Sequence, residues 1–174
     1  MSGFGVSISS AICIMLLVVF AMGVLSAALE TFQVLNEAFE TSLRTQQDIF
    51  QTQFKFSGNI TSVDYRVISF CIENVGSKSF SSTELTLFDL FVHYQINSTT
   101  NRVVWIPYVD GDIAEEGWNY TFERNYLNNP SSWDPSESIK VTTQLRFAMA
   151  SKSSNFLQFS SSNGVAVSTY FEVK

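Results

Sequence analysis

The stretch Ser138–Met149, SIKVTTQLRFAM, puts Ile139, Val141, Leu145, Phe147 and Met149 on one face of an extended chain and Lys140, Gln144 and Arg146 on the other. A repeat of two residues rather than 3.6 marks a half-buried strand. Val165–Lys174 repeats the pattern, with Val165, Val167, Phe171 and Val173 opposite Ser168, Glu172 and Lys174. Val63–Glu73 (VDYRVISFCIE) begins by alternating and then turns apolar on both faces, as a central strand does. Thr86–Ile96 switches face near Leu87-Phe88, which predicts a bulge. Val103–Val109 and Trp118–Glu123 add two shorter strands. Turn residues separate these runs at Asn74-Val75-Gly76, Asn97–Asn101, Asp110-Gly111-Asp112, Asn129-Pro130 and Asn163-Gly164. About six strands at this spacing predict an antiparallel, Ig-like β-sandwich. The Cys…Trp…Cys pattern of antibody-type domains is absent.

Upstream the chain changes character. It opens GFGVSISSAICIMLLVVFAMGVLSAALE from Gly3, and its first charged side chain is Glu30. The 24 residues Val6–Leu29 are almost all apolar or small. At about 1.5 Å rise per residue, a helix of that length crosses the hydrocarbon core of a bilayer with some tilt. Val6, Ile12, Leu16, Leu17, Phe20 and Leu25 would carry the anchor. A secretory signal would show a basic start and a shorter apolar core, so a permanent anchor is the expectation. The small residues near Leu25–Leu29 keep cleavage as an alternative. The short N-terminal flank has no Lys or Arg, and Glu30, Glu37 and Glu40 precede Arg44 on the other side. With the foldable domain downstream, the expected orientation is N-terminus in the cytoplasm and residues 30–174 outside.

No Pro or Gly lies between Gly23 and Gly58, so nothing local stops the helix at the membrane surface. An apolar stripe continues in steps of four and three through Leu25, Leu29, Phe32, Asn36, Phe39, Leu43, Gln46 and Phe50, a heptad seam with two polar interruptions. Two readings stand: a helix laying one face on its own domain, or a stalk pairing with a second chain as a homodimer, with Asn36 setting the register. The expected organisation is an anchor at 1–29, a helical stem at 30–54 and a sandwich at 55–174.

Catalytic chemistry is missing from the pattern. His93 is the one histidine among 174 residues, set on a strand, and no nucleophile–base pair or phosphate loop accompanies it. Asp110, Asp112, Glu115 and Glu116 lack the spacing of a calcium loop and read as a solvated hairpin. No enzyme activity and no cofactor are expected. A net charge of −6 gives no footprint for nucleic acid. Cys13 falls in the anchor and Cys71 in a strand, so one chain cannot pair them. Asn59, Asn97 and Asn119 each open a glycosylation sequon. Trp105, Tyr108, Trp118 and Trp133 are divided between core and a possible partner contact, since Trp and Tyr dominate binding hot spots.

Taken with the opening GFGVSISSAICIMLLVVFAMGVL, the segments IENVGSKSFSSTELTLFDLFVHY, NPSSWDPSESIKV and SSNGVAVSTYFEV resemble the archaellum accessory proteins FlaF and FlaG. The start is more similar to FlaF, through the GF-x-VS pattern at Gly3–Ser7. The resemblance covers most of the chain. It implies a single-pass membrane protein whose external β-sandwich ties the rotary archaellum motor, and its sibling accessory proteins, to a surface-layer protein. The alternatives are a filament subunit of the archaellin or pilin kind, and a membrane-anchored sugar- or ligand-binding sandwich.

Overall fold

The computed structural model describes residues 3–113, 115–123 and 131–173. The chain divides into two compact units, Met1–Thr45 and Gln46–Lys174. One helix, α1 (Gly3–Gln51), supplies the described residues of the first unit and the first residues of the second. It is long and apolar enough to cross a membrane and lies near the N-terminus.

The second unit is an antiparallel sandwich of two four-stranded sheets. Its elements are β1 (Phe54–Val63), β2 (Val67–Asn74), β3 (Phe80–Ser81), a helical turn α2 (Ser82–Leu85), β4 (Asp89–Asn97), β5 (Thr100–Ile106), β6 (Gly117–Phe122), β7 (Ser132–Trp133), β8 (Ser138–Gln144), β9 (Ser154–Ser160) and β10 (Ala166–Glu172). One sheet runs β1-β2-β8-β6, the other β10-β9-β4-β5, and β3 pairs with β7 as a small ribbon. The core follows from the alternation. Ile68, Phe70 and Ile72 of β2 and Ile139 and Val141 of β8 meet Leu90 and Val92 of β4 and Leu157 and Phe159 of β9. At one end Phe54 stacks on Trp133 with ring centroids 5.2 Å apart, and Phe80 and Phe88 close the cluster edge-on to each other.

Several expectations are corrected. The run Val63–Glu73 is not one strand: it contains a turn, with Asp64 and Tyr65 in the left-handed region (φ 54° and 58°), that joins β1 to β2. Strand structure begins at Phe54, ahead of Gly58. Gly58 instead sits inside β1 at an irregularity, where the register slips between Ser57 and Thr61. The face switch at Leu87-Phe88 is no bulge. A helical turn with a capping box, Ser81 and Glu84 satisfying each other's backbone N–H, reorients the chain before β4. β8 stops at Gln144, where backbone bonding passes to the β1–β2 turn, and Phe147 is exposed. β9 was not anticipated. The Asn129-Pro130 turn lies outside the described residues.

The helix ends without glycine or proline because the sandwich caps it. Ser77 N–H and Lys78 N–H donate to the Gln51 carbonyl at 2.8 and 3.2 Å, and Asn163 Nδ2 donates to the Thr52 hydroxyl at 2.8 Å and to the Asp48 carbonyl at 3.3 Å. Lys78 Nζ pairs with Asp48 at 2.9 Å. Side chains and loops distant in sequence thus satisfy carbonyls that a helix end otherwise leaves open.

Candidate partner-binding face

The two sheets present opposite chemistry to the outside. On the first, cross-strand neighbours are polar: Lys55 opposite Glu73, Cys71 opposite Lys140, Ser69 opposite Thr142, Lys140 opposite Thr121. Cys71 Sγ donates to Glu123 Oε1 at 3.1 Å. Burial, then that hydrogen bond, pushes its thiol up to about 11.

On the second sheet the outward side chains form two aromatic-rich rows. Val103 of β5 lies opposite His93 of β4, His93 opposite Phe156 of β9, and Phe156 opposite Tyr170 of β10. Beside them Trp105 lies opposite Phe91, and Phe91 opposite Gln158. The rings of Phe156 and Tyr170 are 5.1 Å apart. Tyr170 is 75% exposed, Val103 72% and Trp105 53%. The Trp105 indole N–H donates to Asp89 at 2.7 Å, which fixes the ring against the strand without burying it. Contiguous exposed apolar surface on a folded domain marks an interaction site, and the ordered rings would lose little entropy on binding.

This face is where the four aromatic residues singled out in the sequence are sorted. Trp105 belongs to it. Trp118 and Trp133 do not, since each is 0% exposed and neither can touch a partner. Trp133 anchors the Phe54 cluster and donates its N–H to the Glu137 carbonyl at 2.8 Å. Trp118 packs edge-on against Phe159. Tyr108 is half-buried, edge-on to Trp118 at 5.1 Å, and burial raises its hydroxyl pKa. Tyr170, Phe156, Phe91, His93 and Val103 were missed. His93 is exposed in the middle of the row from Val103 to Tyr170.

Of the anchor residues, Ile12, Leu16, Leu17, Phe20 and Leu25 lie exposed along α1, and the Val6 side chain falls outside the described set. The seam residues Leu29, Phe32, Asn36, Phe39, Leu43 and Phe50 are exposed too, Phe50 to 85%. Asn59 and Asn97 are exposed, whereas Asn119 is half-buried and its amide nitrogen donates to the Gly111 carbonyl at 2.8 Å. That bond engages one hydrogen of the nitrogen to which a glycan would be attached. Among the described residues no cluster of His, Cys, Asp and Glu could hold a metal ion.

No family model matches the chain. No curated protein matches it either. Solved structures do. The archaellum periplasmic stator protein FlaG from Sulfolobus acidocaldarius is 19% identical with a TM-score of 0.51, and the match covers 69% of this chain and 99% of that one. The archaellum periplasmic stator protein complex FlaF and FlaG from the same organism gives 20% identity and a TM-score of 0.52, over 69% of this chain and 89% of the other. The archaeal flagellum of Methanospirillum hungatei strain JF1 matches at 11% identity and a TM-score of 0.60, over 100% and 94% of the two chains. These likenesses establish the fold. Two of the three are with the proteins whose sequences the chain resembles.

Proposed function

We propose that this chain is a stator-type accessory protein of the archaellum, which holds the rotary motor against the surface layer. Carrying the reading is the likeness of its sandwich to FlaG and to the FlaF–FlaG complex, nearly end to end in those proteins. α1 supplies the second part. Val6–Leu29 crosses the cell membrane with the N-terminus in the cytoplasm, residues 30–54 form the stem, and residues 55–174 stand outside beneath the surface layer. The outward face bearing Trp105 and Tyr170 is the surface that grips a surface-layer protein. A contact built from aromatic rings loses little to salt, unlike one built from ion pairs. The stem seam pairs two copies, so that two modest contacts act together. Sibling accessory proteins and the motor are the remaining partners, and the role requires no catalysis.

A second reading is favoured by one observation: the likeness to the Methanospirillum hungatei flagellum covers the whole chain, helix included. In that reading the chain is a filament subunit and α1 packs against its copies. Deleting the gene and examining the cells separates the two. The stator reading expects cells that do not swim although filaments of another protein assemble. Loss of the filaments themselves, with this chain recovered as their repeating subunit, would establish the second reading.

A further inference from the structure

β4 and β5 are joined by a loop of only two residues, Ser98 and Thr99, and the whole tip from Asn97 to Asn101 is exposed. β9 pairs with β4 only over Asp89–His93, so the tip lies beyond the last β4–β9 pair and is laddered to β5 alone. Asn97-Ser98-Thr99 is also an acceptor pattern for an N-linked saccharide.

The carboxamide of Asn97 is turned back on its own loop. Its Oδ1 accepts from Thr99 N–H at 3.0 Å, from Thr100 N–H at 2.8 Å and from the Thr99 hydroxyl at 2.9 Å. An Asn side chain bonded this way is held in one orientation. Both hydrogens of Nδ2 are left without an acceptor among the described residues. The nitrogen that would take a saccharide and the hydroxyl two residues on are thus presented together at an open tip. The other two sequons are not arranged so. Asn59 lies within β1, where the Thr61 hydroxyl donates to the Ser69 carbonyl at 3.2 Å instead of turning back to the Asn59 carboxamide. Asn119 lies within β6, half-buried and paired opposite Thr142, with its amide on the Gly111 carbonyl. Entering the site of a modifying enzyme would pull either strand out of its ladder. The hairpin tip gives up at most its closing pair, Asn97 with Thr100.

We propose that Asn97 is N-glycosylated and that Asn59 and Asn119 are not. The proposal rests on the reading that residues 55–174 stand outside the cell. The donor is an oligosaccharide carried on a lipid phosphate, and the catalyst is a membrane transferase. Nδ2 attacks the anomeric carbon and the C1–N bond forms. The bond from C1 to the phosphate oxygen breaks, its electron pair leaves on the lipid phosphate, and one Nδ2 proton passes to a base of the transferase. Trypsin places the three sequons on separate peptides, 56–66, 79–102 and 103–124. The full chain, purified from its native membranes, is digested and read by mass spectrometry. A saccharide mass on 79–102 alone is expected, retained in Thr99→Ser and lost in both Asn97→Gln and Thr99→Ala. Thermal unfolding of each variant checks that the fold survives. A bare 79–102, or a saccharide on 56–66 or 103–124, would overturn the proposal. So would a saccharide that survives Asn97→Gln, because it would be linked to a hydroxyl. Protease added to cells stripped of their surface layer reads the location separately. Digestion of the sandwich with 79–102 bare defeats this proposal alone, whereas protection of the sandwich with 79–102 bare defeats the external placement as well.

Discussion

Gly76 occupies a place where one methyl group cannot be added. A Cβ there would come within 2.2 Å of the Gln51 carbonyl oxygen and 2.7 Å of Gln53 N, both backbone atoms that cannot swing aside. Gly76→Ala should therefore cost about 1–3 kcal/mol and lower the melting temperature of the sandwich. An unchanged melt would show that the loop retreats freely and that the helix cap is loose. Cys71 gives a second expectation. Its thiol is raised from 9.0 to about 11, so the folded state holds the proton through a pH range in which the unfolded chain releases it. Stability is therefore unaffected well below pH 9 and falls as pH rises from 9 towards 11. Iodoacetamide should modify native Cys71 with a pH midpoint near 11, against about 9 in denaturant; a native midpoint near 9 would remove both the burial of the thiol and its bond to Glu123 from the account. At this scale the sequence is least legible. Val103, Val104, Trp105 and Ile106 are all apolar, so alternation alone could not say which of them faces out. Pairing with β4 decides it, and long-range register is invisible in a local pattern.

Elements were legible where side chains alternate and obscure where tertiary bonds take over. β8 and β10 were plain, because polar residues mark their outer sides. β9 (SNFLQFS) was hidden by Asn155, a polar residue at an inward position. It is tolerated there because its Oδ1 accepts from Gln95 N–H at 3.1 Å and its Nδ2 donates to the Ser153 carbonyl at 3.1 Å. The end of α1 was hidden for the related reason that its cap comes from residues far along the chain. Asn163→Ala removes two such bonds, to the Thr52 hydroxyl and the Asp48 carbonyl, each worth about 1 kcal/mol net, and should raise amide exchange at Ser77 and Lys78 before the rest of the sandwich; uniform exchange across the domain would dissociate cap from helix end. The stem carries its own test. Truncating a buried Leu or Phe costs about 2–5 kcal/mol, so Phe39→Ala with Leu43→Ala should shift the detergent-solubilised chain from dimer to monomer in sedimentation. Equal masses for variant and wild type at all concentrations would leave the seam without a second copy.

At the scale of the whole molecule, the sandwich and the long apolar helix were legible, and the resemblance to FlaF and FlaG agrees with the folds the chain matches. The proposed binding face was not. It is assembled from single residues on four strands, β5, β4, β9 and β10, which no sequence window brings together. Its prediction belongs here. Trp105→Ala with Tyr170→Ala removes exposed rings without opening the core, so it should reduce swimming while leaving thermal stability almost unchanged. Trp133→Ala should do the reverse, costing about 3–5 kcal/mol and depleting the folded protein. The most direct measurement places a photo-activated cross-linking residue at position 170 in motile cells and identifies what it captures. A surface-layer protein joined to this chain is the predicted result, and capture only of neighbouring copies within a filament would contradict the account.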